Sequence, residues 1–225
     1  MAIVASNNLE TGDLTGFSAT TGSGDLSVGA AGAMAYTANG MSVLIDDTDE
    51  HSGHLSLAGI SNEIGFRFYF DPNTYTNVAW SDGILARFVL SNAPWRAIEV
   101  QYGRNPAGPL RYIRLRMYTD AGGTSDTSWY AITDAPHWIE IYAKRSTGAG
   151  DNNGEGTLYI DSVAKETESG IDNYDAWALK ATLRFGIYAV TASTGGTVFI
   201  DEIVVRDDAQ LIGPRVVGYY YQRQQ

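Results

Sequence analysis

From residue 62 apolar side chains occupy every second position: Ile64, Phe66, Phe68 and Phe70 share one face, while Glu63, Arg67 and Tyr69 share the other. A period of two belongs to a β-strand buried on one side, since successive side chains point to opposite faces. The same alternation returns with Ile98, Val100 and Tyr102, with Ile113, Leu115 and Met117, with Ile139, Ile141 and Ala143, and with Leu183, Phe185 and Ile187. Five segments of one design need a shared apolar layer. Turn clusters separate them, at Asp71-Pro72-Asn73, Gly103 to Gly108, Gly122-Gly123, Gly148 to Gly156 and Gly195-Gly196, rich in residues that accept positive φ or local side-chain turns. Shorter strands are expected at 16–20, 24–29, 33–37, 40–45, 53–58, 83–90, 126–131, 157–161, 163–168 and 197–206, about fifteen in all, enough for two stacked sheets. The expected fold is all-β, a two-sheet antiparallel jelly-roll sandwich. Residues 1–213 read as one domain, with 214–225 as an extended C-terminal arm.

At 225 residues with 44% hydrophobic and 12% aromatic content, the chain can bury a full core. It has no cysteine, which removes disulfides, thiolate metal sites and cysteine nucleophiles together. The net charge of −11 argues against nucleic acid or an anionic membrane surface as a partner. Acids crowd the first 66 residues, where Glu10, Asp13, Asp25, Asp46, Asp47, Asp49, Glu50 and Glu63 meet no Lys or Arg. A solvated face is the simpler reading of that bias, a cation-binding surface the alternative. No apolar run reaches the ~20 residues of a membrane helix, and the opening MAIVASNNLE lacks the pattern of a secretory signal.

Two segments carry a resemblance: HWIEIYAKRSTGAGDNNGEGTLYIDSVAKETESGIDN from His137 and LRFGIYAVTASTGGTVFIDEIVVRD from Leu183. With Trp138 opening one strand, Leu158 to Asp161 forming a Leu-Tyr-Ile-Asp hairpin strand and Asp201-Glu202 late in the chain, the sequence resembles the laminin-G-like and concanavalin A-like jelly-roll superfamily. The opening NNLETGDLTGF, with Glu10, Gly12 and Asp13, resembles that family's first strand. Ser162 departs from the glycine usual after the hairpin Asp. The resemblance implies a concanavalin A-like sandwich, and a structural Ca²⁺ held where the first-strand acid Glu10 meets the late-strand acid Asp201. Ca²⁺ takes hard oxygens, and carbonyls of the Gly12 turn would complete the set. Asp201 pairing with an Arg or capping a turn is the alternative.

The resemblance implies that a glycan hydrolase of this superfamily would carry two or three acids at alternate positions of one strand, where period two puts them on one face. None is found here: Glu140 is flanked by Trp138 and Tyr142, Glu99 by Gln101, and Asp201 and Glu202 are adjacent and point to opposite faces. Glu166 and Glu168 share a face, but on a polar strand that reads as a sheet edge. Serine-hydrolase, phosphate-loop and zinc-peptidase motifs are absent, and three histidines leave little for catalysis. In DDTDEHSGH, Asp46, Asp47, Asp49 and Glu50 with His51 and His54 offer oxygen and imidazole ligands, yet the spacing matches no calcium loop. A solvated loop is favoured there.

The row Tyr112, Arg114, Arg116 and Tyr118 is the main surface feature, expected to share a sheet with Trp138, Glu140, Tyr142, Glu99 and Gln101. Aromatic faces among polar donors can hold sugar rings or anchor a subunit, although cross-strand pairs also stabilise an ordinary exposed face. Trp80, Trp95, Trp129 and Trp177 read as core or rim packing. Tyr219, Tyr220 and Tyr221 put aromatic surface on an arm suited to docking on a neighbour, or to folding back on its own domain. These features favour a non-enzymatic assembly protein, such as a bacteriophage decoration, tail or fibre component, contacting other virion subunits or itself and located in a virion or outside the cell. A secreted or surface carbohydrate-binding module contacting cell-surface glycan is the alternative; a glycan hydrolase or lyase ranks below both.

Overall fold

The computed structural model describes residues 3–34, 37–58, 62–76, 83–90, 96–104, 110–177, 180–188, 194–208 and 210–215. In chain order the strands are β1 Ile3–Asn7, β2 Ala19–Thr21, β3 Leu26–Gly29, β4 Gly40–Ile45 and β5 His51–Ala58. They continue with β6 Glu63–Asp71, β7 Gly83–Leu90, β8 Arg96–Arg104, β9 Arg111–Tyr118, β10 Thr124–Asp126 and β11 Tyr130–Ile132. The last five are β12 His137–Lys144, β13 Gly154–Ile160, β14 Val163–Ile171, β15 Lys180–Tyr188 and β16 Gly196–Arg206. Two 3₁₀ turns, Ser23–Asp25 and Ala30–Gly32, are the helical elements among the described residues.

Two antiparallel sheets of eight strands stack as a jelly-roll sandwich. The first runs β14-β13-β12-β6-β16-β4-β3, with β1 also on β16; the second runs β10-β9-β8-β7-β15-β5-β2, with β11 also on β9. The alternating apolar residues of both meet in one core. Phe185 of β15 packs edge-on against Phe66 and Phe68 of β6, with ring centres 6.2 and 5.4 Å away, and Tyr102 of β8 does the same with Phe70 and Tyr75. Edge-to-face pairs of this kind add about 0.5–1.5 kcal/mol each to the area they bury. Gly53 lets β5 join this packing, since a Cβ there would lie 2.5 Å from the Phe17 ring.

The outer faces of the sheets differ. Across the first sheet lies the segment from Gln210 to Arg215: Ile212 and Gly213 donate their N–H groups to the Glu140 carboxylate, and the Gly213 carbonyl accepts from Arg67 at 2.6 Å. Arg215 donates its N–H to the Tyr69 hydroxyl and pairs with Glu202 at 3.3 Å. This strap therefore folds back on its own domain; Tyr219, Tyr220 and Tyr221 lie outside the described residues, as do Trp80 and Trp95.

One expected grouping is corrected. Tyr112, Arg114, Arg116 and Tyr118 lie on β9 with Glu99 and Gln101 beside them in the second sheet, whereas Trp138, Glu140 and Tyr142 lie on β12 in the first. Alternation fixes which side of a strand faces the core, but both sheets obey it, so it cannot say which sheet a strand joins.

Glu10 and Asp201 brace the same stretch before β4. Glu10 accepts the N–H groups of Ala38 and Asn39. Asp201, fully buried, accepts from the Met34 N–H, the Thr37 hydroxyl and the Glu202 N–H. A calcium ion between these carboxylates would have to displace such donors. Burial pushes the Asp201 carboxyl up from 3.8 to about 6, against the hydrogen bonds from Thr37, Met34 and Glu202 that pull it down. Its native pKa thus lies above the unfolded one, so folding takes up a proton. The resulting stabilisation is complete below about pH 4 and lost as pH rises through about 6, on the order of 3 kcal/mol. In chelator-containing buffer, thermal melts between about pH 4 and 7 should therefore show Asp201→Asn losing less stability with rising pH than the parent chain; parallel pH profiles would contradict this assignment.

Candidate functional site

The outer face of the second sheet collects much of the described residues' polar chemistry, most of it buried or half-buried. One register row crosses it: His54 on β5 lies opposite Arg184 on β15, then come Arg87 on β7, Glu99 on β8, Arg116 on β9 and Asp126 on β10. Each strand turns its apolar neighbours inward, Leu55, Leu183, Phe185, Ile98, Leu115 and Met117 among them, and the residues between must face out. Five of the chain's 15 Lys and Arg residues, Arg87, Arg96, Arg114, Arg116 and Arg184, gather here in a protein of net charge −11.

Three carboxylates hold this cationic set in place. Glu99, 1% exposed, accepts Arg87 Nε and Arg96 at 3.1 Å on one oxygen and Gln101 Nε2 at 3.0 Å on the other. Gln101 in turn accepts Arg114 Nε at 2.7 Å. Arg116 grips Asp126 with two nitrogens, which raises the guanidinium and lowers the carboxyl relative to their usual values. Glu50, at the edge of β5, would be raised by burial, but His54, Ser52 and Arg184 together draw its carboxyl down to about 2. It remains ionised and pairs with Arg184 at 3.0 Å.

Beside these charges sit the groups able to move protons. His54 Nε2 lies 3.0 Å from Ser52 Oγ, 3.2 Å from Thr21 Oγ1 and 3.5 Å from Glu50. Tyr188, 2% exposed, carries the Arg87 guanidinium 4.5 Å above its ring. Its hydroxyl makes no well-formed hydrogen bond and faces Ser52, and burial followed by the Glu50 charge drives its pKa up. The phenol therefore keeps its proton. Arg184 Nε is likewise a buried donor without a partner. At the far end Arg114 stacks on Trp129, 4.4 Å from its ring centre. A cluster of guanidinium groups thus sits next to an imidazole and a protonated phenol, groups that can take part in proton transfer.

Gly186 sets the Tyr188 end of the site. A Cβ there would fall 2.0 Å from the His51 carbonyl, and its φ of +153° suits glycine; the pairing of β15 with β7 shifts register between Phe185 and Tyr188.

Of the residues singled out in the sequence, Arg114, Arg116, Tyr112 and Tyr118 lie on this face, while Trp138 and Tyr142 are on the other sheet. Tyr188, Arg184, Arg87, Glu50 and His54 were not assigned to it. The signal for Arg184 and Tyr188 was present, because they alternate with Leu183, Phe185 and Ile187. His54 was hidden by the acidic run before it. Glu166 and Glu168 lie on the edge strand β14, engaged by Ser128, Tyr130 and Ser125 of the other sheet. A shallow recess of about 240 Å³ at Thr119, Asp120, Asp175 and Ala176 is acidic and offers no cation.

No protein-family model matches the sequence, and no curated protein is significantly similar to it. Solved structures do match. The endo-β-1,4-glucuronan lyase of the fungus Trichoderma reesei superimposes with a TM-score of 0.66 at 14% identity, over 91% of this chain and 95% of its own. The alginate lyase Aly36B gives 0.59 at 10% identity, over 91% and 92%. The alginate lyase vAL-1 from Chlorella virus gives 0.56 at 13% identity, over 92% and 100%. At such identities the likeness shows a shared sandwich. It nonetheless overturns the expectation of a non-enzymatic building block of a virus particle, since chains with this whole-length architecture include polysaccharide lyases. The missing acid pair bears on hydrolysis and not on elimination, which needs charge neutralisation and proton carriers rather than two carboxylates.

Proposed function

We propose that this chain is a polysaccharide lyase that cleaves a glycan containing uronic acids by β-elimination, on a sandwich of the concanavalin A-like kind. The observation that carries the reading is the Tyr188, Ser52, His54, Arg184 and Arg87 cluster on the outer side of the second sheet. A uronate carries its C5 hydrogen next to a carboxylate, and that hydrogen becomes acidic only when the carboxylate charge is offset. Arg184 and Arg87 supply the offset. His54 takes the C5 proton, imidazole being the side chain suited to that task near neutral pH. The C4–O4 bond then breaks as a C4–C5 double bond forms, and the Tyr188 phenol protonates the departing oxygen. Flanking arginines and the Trp129–Arg114 pair extend the surface along which a polyanionic chain would lie. The glucuronan and alginate substrates named for the matching structures carry this carboxylate.

Incubation with glucuronan and with alginate should produce the ultraviolet absorbance of an unsaturated uronate, whereas neutral β-glucan should give none. Failure on every polyuronate, or binding without turnover, would overturn the reading. Tyr188→Phe should lower kcat by about 10²–10⁴-fold while leaving the melting temperature unchanged or higher, because the hydroxyl it removes is buried without a well-formed bond.

Arg184→Ala should depress kcat and raise KM together, and added salt should raise KM of the parent chain as charge is screened. A KM independent of salt would argue against an arginine-held polyanion.

A further inference from the structure

At one end of β5, outside the groups assigned to catalysis, Asp25, Asp46, Asp47 and His51 bring one potential ligand atom each to within 4.8 Å of one another. The acids alone would be unremarkable. His51 is what sets the cluster apart: it is 1% exposed, and its Nδ1 is buried without a hydrogen bond.

The two ring nitrogens face different acids. Nε2 lies 2.9 Å from Asp47 Oδ1, and since a carboxylate accepts, Nε2 carries the hydrogen. Nδ1 then presents a lone pair, 3.3 Å from Asp25 Oδ2. A lone pair opposite a carboxylate oxygen is repulsive unless positive charge stands between them. A second ring proton would supply it as an ion pair with Asp25, though one poorly directed for a hydrogen bond; a cation between the two atoms supplies it as well. The separation suits two ligands of one ion. With metal–ligand bonds of about 2.1 Å and a tetrahedral angle, they would stand about 3.4 Å apart. The Asp47 contact is then the outer carboxylate that commonly orients a metal-bound imidazole. Gly22 leaves the room, because a Cβ there would lie 2.4 Å from Nδ1.

We infer that Asp25, Asp46 and His51, with Asp47 holding the imidazole, form a binding site for a first-row divalent cation, pinning the Ser23–Asp25 turn to the β4–β5 connection. A nitrogen ligand among carboxylates favours Zn²⁺ over Ca²⁺. The site does not depend on the lyase reading.

The test is calorimetric titration of metal-stripped protein, free of any polyhistidine tag, with ZnCl₂ and separately with CaCl₂. One Zn²⁺ per chain is expected, with a raised melting temperature and weaker response to Ca²⁺. Asp25→Asn, at a partly exposed position, should weaken Zn²⁺ at least tenfold, whereas His137→Gln, whose imidazole pairs with Asp161 elsewhere, should leave uptake intact. Replacing Zn²⁺ by Co²⁺ should give a visible absorption band absent from Asp25→Asn. No uptake, equal uptake by Asp25→Asn, or a metal-free His51 ring shown by nitrogen NMR to carry both protons would overturn the site.

Discussion

The interleaving of aromatic rings between the two sheets is the constraint on which the rest depends. Once Phe185 is buried against Phe66 and Phe68, the parity of β15 leaves Arg184 and Tyr188 no choice but to face outward. The same holds on β8 and β9, where Ile98, Val100, Leu115 and Met117 commit Glu99, Gln101, Arg114 and Arg116 to the outer face. A one-residue slip would exchange the two sets. The core therefore positions the chemistry as well as supporting it, and rigid strands hold such groups more tightly than loops would.

Gathering five arginines on one face works against their mutual repulsion. Glu99, Glu50 and Asp126 relieve it, and they do so from within the sheet. Glu99 is buried with donors on both oxygens, so its charge is matched rather than stranded. The acids that look like an obstacle to binding a polyanion are what allow the guanidinium groups to stand close together. Arg184 still presents an unengaged Nε after pairing with Glu50.

The sandwich was legible in the sequence because period-two burial is written directly in side-chain order; β7 falls at the expected residues 83–90. Losses came where backbone pairing departs from pattern. The expected strand 126–131 is split into β10 and β11, since the Thr127 hydroxyl takes the Leu115 N–H that a continuous ladder would have used. The strand expected at 33–37 gives way to a loop braced by Asp201 and Glu10 among its described residues. β1 shows no alternating burial and pairs with β16. The site was legible in part: the β9 row was found, but its partners lie on strands distant in sequence, and sheet membership is a property of the whole topology.

That topology also sets how the polar residues on the two outer faces are engaged. Arg67, Glu140, Tyr69 and Glu202 would give the first sheet a polar outer face of its own, but the strap from Gln210 to Arg215 engages each of them. Backbone donors engage Glu140 and backbone carbonyls of Gly213 and Glu202 engage Arg67, so their charges serve the fold. The second sheet's outer row is satisfied chiefly by side chains, which can exchange a partner for a ligand without unravelling backbone structure. On the lyase reading proposed above, that exchange is how a polyanion would be held, with His54 and Tyr188 beside it to move the protons.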